Sequence, residues 1–252
     1  MSIAVPSAVS GLWQQLAGKG SVMASYEPSM TKGLPEPARR WLEHSITSGT
    51  PLWRSVELDM RGDIKLGMQW QPFRARQILS PGEGFIWAAR SRLFGLPITG
   101  FDRFSAGQGQ MRWKLLNIIP VLSASGADVA RSAAGRLAAE SVLLPTAFQT
   151  AGWSPGSDKD VVTMSRVING AEEKVNLRLT AQGQLAEVWM MRWGNPGGEK
   201  PGRYPFGVAI MEEKEFSGIT LPSVLRAGWW WGTPNQGDGE FFHARITGAL
   251  FR

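Results

Sequence analysis

From Trp53 onward, apolar residues recur at every second position. Val56, Leu58 and Met60 alternate with Ser55, Glu57, Asp59 and Arg61, the pattern of a strand with one buried face. After a turn expected near Gly62 and Asp63, the alternation resumes at Ile64, Leu66, Met68 and Trp70, which predicts a hairpin. Residues 74–92 read as a second hairpin turning at Ser80 to Gly84, and 98–121 as a third turning at Ala106 to Gly109. In that third hairpin Met111, Trp113 and Leu115 alternate with Gln110, Arg112 and Lys114. Beyond residue 160, three strands are expected around Asn169-Gly170 and Ala181 to Gln184; Asn-Gly is a strong short-hairpin signal. Three more follow, with turns at Ser217-Gly218 and Gly232 to Gly239.

Two stretches break the period of two. In 34–46, Ala38, Trp41, Leu42 and Ile46 recur at spacings of three and four behind Pro37, which predicts a short amphipathic helix. Ser125 to Trp153 reads as one long helix, with Ser125 and Asp128 as a capping-box-like start. Its small residues Ala133, Ala134, Ala138 and Ala139 would let a sheet come close. The expected fold is mainly β, of the α+β kind: a large curved antiparallel sheet or half-barrel of about ten to eleven strands wrapped around one central helix, with a short N-terminal helical segment. Such a sheet must curl, and the helix is what it would curl around. Residues 1–33 are expected to be an arm with a short helix around Leu12 to Leu16, and 34–252 a single curved-sheet domain.

Composition narrows the chemistry. With no Cys and only His44 and His243, thiolate catalysis is excluded and neither a metal site nor a cofactor is expected. Twelve Trp and eleven Phe against two Tyr concentrate the apolar mass in large rings, which must pack tightly or hold something apolar. The first twenty residues lack a basic n-region and a long apolar run, so a cytoplasmic location is expected, with no transmembrane segment. The net charge of +6 is uneven: 54–114 holds ten basic and five acidic residues, and the rest of the chain after Lys114 balances at thirteen each. There is no Lys/Arg tract and no nucleic-acid motif, so nucleic acid is not the expected partner.

LPEPARRWL, FIWAAR, GFDRFSAGQGQM and above all GITLPSVLRAGWWWGT with GEFFHARI resemble an uncharacterised bacterial family of domain-of-unknown-function proteins, over residues 34–252. More distantly, the order meander, helix, meander resembles the half-barrel carriers of bacterial lipoproteins, a resemblance that implies a curved sheet holding acyl chains against internal helices.

The polar candidates are few. Arg136 and Glu140 lie four apart on the face of the helix that carries Val129 and Ala133, and form either a simple intrahelical pair or the mouth of a cavity where Arg136 holds a carboxylate or phosphate. Asp102 is expected opposite Arg112 across its hairpin; pointing inward instead, it would sit among Phe101, Phe104 and Trp113 with its pKa raised by desolvation. The expected function is binding of a hydrophobic or amphiphilic, lipid-like small molecule by Arg136, Glu140, Asp102, Trp87, Trp113, Phe101 and Trp189. The alternative is a cofactor-independent isomerase, cyclase or hydrolase using Asp102 or Glu140. If Leu79 pairs with Phe85, then Arg74, Arg76, Arg90 and Arg92 share a face, and an anion or an acidic strand is expected there.

Overall fold

The computed structural model describes residues 3–18 and 24–252; the parts of the N-terminal arm at 1–2 and 19–23 lie outside the described residues. Thirteen strands form one sheet: β1 (Val56–Leu66), β2 (Gln69–Ser80), β3 (Gly84–Leu93), β4 (Leu96–Ser105), β5 (Gln108–Leu115), β6 (Ile119–Ser125), β7 (Gly152–Pro155), β8 (Val161–Ile168), β9 (Ala171–Leu179), β10 (Leu185–Gly194), β11 (Gly202–Phe216), β12 (Ile219–Trp229) and β13 (Glu240–Phe251). Their order is 6-5-4-3-2-1-13-12-11-10-9-8-7, antiparallel at each pairing. The first meander and the second therefore meet at β1 and β13, and the free edges are β6 and β7. Each edge strand carries a proline, Pro120 and Pro155, which blunts further pairing.

Helix α3 (Ala127–Glu140) packs on β5 in one half of the sheet and on β10 in the other, so the sheet curls round it into a half-barrel. The approach is close because small residues face each other. Ala130, Ala133, Ala134 and Ala138 are buried, and a Cβ at Gly109 of β5 would lie 2.7 Å from the Val129 carbonyl oxygen and 2.8 Å from the Ala130 Cα.

Several expectations are corrected. The sheet has thirteen strands rather than ten to eleven. β6 follows a turn over Leu116–Ile118 in which Asn117 is the one polar residue, and β7 begins inside the expected long helix, at Gly152 and Trp153. That helix ends at Glu140, giving way to two short 3-10 turns, Ser141–Leu143 and Pro145–Thr150. Pro145 disfavours helical backbone at Leu144, which sits at φ −138°, ψ 73°. Its N-cap is Gly126 and no side chain caps it, so the capping box is absent. Strand β1 runs straight through Gly62 and Asp63 and turns at Gly67-Met68. Gly62 answers a different need: a Cβ there would strike the His243 carbonyl oxygen of β13 at 1.9 Å.

Helix α2 (Glu36–Ser45) buries Ala38, Trp41 and Leu42 in the main core. The expected N-terminal segment is α1 (Ser7–Ala17), which covers the convex face: its Val9, Trp13 and Leu16 pack with Ile78, Ile86, Ala88 and Phe101.

Candidate functional site

Between α3 and the concave face lies a trough with a chamber of about 700 Å³, adjoined by a second of about 610 Å³ that is walled by β1 to β6 and their turns. Both share Ile64, Trp87, Asp102, Met111 and Leu122 as walls. The larger is lined by Phe85, Val188, Phe206, Trp229, Phe241 and Phe242 among others, and the smaller by Phe73, Leu93, Phe94 and Trp113. Such size and apolar lining suit a ligand.

Three charged candidates converge in it. The two-residue turn at Ala106-Gly107 sets Asp102 opposite Met111, not Arg112, and so points it inward. Its Oδ2 accepts from Arg136 Nη1 at 3.2 Å and its Oδ1 from Trp113 Nε1 at 2.9 Å. Trp113 can reach it because its ring lies over Gly100, where a Cβ would meet the indole at 2.5 Å. Arg136 Nε donates to Glu140 Oε1 at 2.7 Å, and Gln77 of β2 donates to the other Glu140 oxygen at 2.7 Å. The Arg136 guanidinium also lies 4.6 Å from the Phe85 ring and 5.4 Å from that of Trp87, within cation–π reach.

Burial pushes the Asp102 carboxyl above the ordinary carboxylate range, although Arg136 and the Trp113 hydrogen bond pull the other way. Burial likewise works against the charge of Arg136, but Glu140 and Asp102 more than offset it and hold it charged. Arg136 is thus already satisfied by two carboxylates.

The residue that sequence reasoning missed is Arg192 of β10. It follows Val188 and Met190 at period two, so it projects into the trough, where its Nε donates to the Ser132 carbonyl at 3.2 Å and an Nη to Ser132 Oγ at 3.4 Å. Its guanidinium lies 4.7 Å from the Phe206 ring and 5.2 Å from Trp229. No carboxylate bonds to it among the described residues. Burial, reinforced by repulsion from Arg136, pulls its pKa down to about 10.

Two of the expected site residues are elsewhere. Phe101 alternates with Asp102 and therefore faces outward, under α1. Trp189 alternates with Val188 and Met190 and also faces outward, with Arg178 over its ring at 5.3 Å. Trp87 and Trp113 remain in the trough, 5.7 Å apart.

Leu79 pairs with Phe85 as expected, on the concave side, and the same register sets Arg74 opposite Arg90 on the convex face. Arg76 shares this face but is partnered there: the carboxylate of Glu57 on the neighbouring strand accepts from its Nη2 at 2.9 Å, and Trp13 stacks on it at 5.2 Å. Arg245, Arg61, Arg74 and Arg90 stand in direct cross-strand register across β13, β1, β2 and β3. With Arg92 and Arg226 they line a cleft of about 890 Å³, in which Asp63 is the only carboxylate among the described residues. Glu212 bonds to Arg245; among the described residues Arg61, Arg74 and Arg90 have no carboxylate partner.

The fold and trough define the chain as a curled antiparallel half-barrel built round one helix. Residues 24–243 match the model of the Family of unknown function (DUF6544), and the chain belongs to that family. No curated protein matches it. Among solved structures, it is similar to a LolA superfamily protein from Nitrosomonas europaea, with TM-score 0.51, 9% identity, and coverage of 87% of this chain and 94% of that one. A domain assigned to outer membrane lipoprotein sorting in Vibrio parahaemolyticus aligns with TM-score 0.48 at 10% identity, over 90% of this chain and 94% of that one. At these identities the likeness concerns the fold alone.

Proposed function

We propose that this protein binds an amphiphile with an acidic head, its apolar part in the two-chambered trough and its head against Arg192. The observation that carries the reading is a guanidinium inside an apolar trough without a carboxylate of its own. A buried charge is costly unless paired, and an arriving carboxylate or phosphate would pair it bidentately. The half-barrel shared with the LolA superfamily protein, and the resemblance to lipoprotein carriers, point the same way. Arg136 serves the wall rather than the ligand, because Asp102 and Glu140 already occupy it.

The test compares palmitate with hexadecanol, which has the same chain and no charge. Palmitate at a hundredfold excess over its dissociation constant should stabilise the fold by about 2.7 kcal/mol, and hexadecanol less. If neither raises the melting temperature, and native mass spectrometry of protein from its own host shows no retained amphiphile, the reading fails.

A second reading, cofactor-independent acid–base chemistry on a hydrophobic substrate, draws on the raised pKa of Asp102. Both Asp102 oxygens already accept hydrogen bonds from Arg136 and Trp113, which favours a structural use.

A further inference from the structure

The turns joining β1 to β2, β3 to β4 and β5 to β6 all lie at one end of six neighbouring strands. Their tips are apolar and stand in solvent: Met68 and Phe94 are each 88% exposed and Ile118 is 76% exposed. The turns at the other end of the same strands carry Pro81, Gly82 and Glu83, or Ala106 and Gly107.

Folding does not ask for these residues. The Phe94-Gly95 turn has φ of 50° and 78° at its two positions, a geometry that favours Asn-Gly. A bulky ring at positive φ is strained, and at 88% exposure it gains little packing in return. Leu116, at φ 52°, repeats the choice in the neighbouring turn. A local rule broken without a gain in packing marks a functional position.

The smaller chamber of the trough opens at this rim: Met68, Phe94, Val121 and Leu122 line it. Just behind the tips, Lys65, Arg92 and Lys114 alternate outward, without a carboxylate partner among the described residues. Farther back on the same convex face stands the unpaired row of Arg61, Arg74 and Arg90.

We propose that this rim docks on a lipid bilayer containing anionic headgroups: the three tips enter the headgroup boundary, the cations behind them meet phosphate, and the trough opens toward the acyl chains. The proposal rests on the amphiphile-binding reading and adds where the ligand enters and leaves. Single apolar prongs backed by cations suit a bilayer interface, where apolar burial and attraction to anionic lipid act together.

The test is flotation of the full chain with vesicles of phosphatidylcholine, alone or mixed with phosphatidylglycerol. The protein should bind the mixed vesicles at least tenfold more tightly than the neutral ones. Met68→Asp/Phe94→Asp/Ile118→Asp should weaken that binding at least tenfold, and Ile118→Asp alone, at the tip that lines neither chamber, should weaken it while leaving the palmitate-induced thermal shift intact. Phe94→Asn, which supplies the residue the turn prefers, should keep or raise the melting temperature and still weaken vesicle binding. A protein that floats with neither vesicle, or a triple variant that floats like the parent, overturns the docking proposal; a retained palmitate shift in that case leaves the amphiphile reading standing. A dimer that the triple variant dissociates, without vesicle binding by the parent, also overturns it and assigns the rim to a second copy.

Discussion

Replacing Arg192 by Met gives the sharpest test of the trough, because stability and ligand preference should move in opposite directions. Burial pulls the guanidinium pKa from its ordinary value down to about 10. At about 1.4 kcal/mol for each tenfold, that is on the order of 3 kcal/mol of resistance to holding the charge where it is. Against this stand the two hydrogen bonds to Ser132 and the stacking on Phe206 and Trp229, which offset about 1–2 kcal/mol of it. Methionine keeps the unbranched stem and fills irregular space. Arg192→Met should therefore raise ligand-free stability by about 1–2 kcal/mol, or roughly 2–8 °C in melting temperature for a chain of this size. The palmitate shift should then fall to that of hexadecanol. Differential scanning calorimetry with each ligand reads both quantities. A variant that melts below the parent and still prefers palmitate would refute the claim that Arg192, with no carboxylate hydrogen-bonded to it, awaits a headgroup.

Arg136→Ala should behave differently. It strands Asp102 and Glu140 without their common partner, and breaking a buried pair costs about 3–5 kcal/mol, so chemical denaturation should show a large loss that Asp102→Asn partly restores. Asp102 itself gives a pH signature. Its folded pKa lies above the ordinary 3.8, so between the two values the folded state holds the proton more firmly than the unfolded state, and stability falls as pH rises through that window. The stability of the parent relative to Asp102→Asn should accordingly improve as pH is lowered from neutrality through the raised pKa, measured by melting temperatures across pH. Gly109→Ala presses a methyl into the backbone of α3 at Val129 and Ala130 and should cost about 1–3 kcal/mol by denaturant titration.

The half-barrel was legible in the sequence because period-two alternation and turn chemistry survive wherever a strand has one buried face. Asn169-Gly170 and Ser217-Gly218 both mark real turns. Legibility failed where glycine had two uses. Gly62 looked like a turn and instead relieves a clash with β13, a contact between residues far apart in the chain. It failed again at β6, whose apolar side chains carry no alternation because an edge strand there is largely exposed on both faces. In the trough, Asp102 hung on a register difference of a single residue, which also decides on which side of the sheet Phe101 falls. Arg192 was within reach: an arginine at the next period-two position after Val188 and Met190 belongs to the inner face, whereas Trp189 between them does not.

The two halves of the sheet divide the work between them. The second meander supplies the aromatic floor of Phe206 and Trp229 together with Arg192, and its own carboxylate Glu173 is held bidentately by Arg203, so that it reaches Arg192 only through its charge and not by a hydrogen bond. The first meander supplies the carboxylate Asp102, the smaller chamber and the apolar tips. Helix α3 spans both, so Arg136 and Glu140 hold the first meander while Ser132, on the same helix, fixes Arg192 of the second. An amphiphile with its head at Arg192 can therefore run its chain past Trp87 and Asp102 toward the rim. Its charge would lie against the cation within the barrel, and its tail would point toward the open end where Met68 and Phe94 stand.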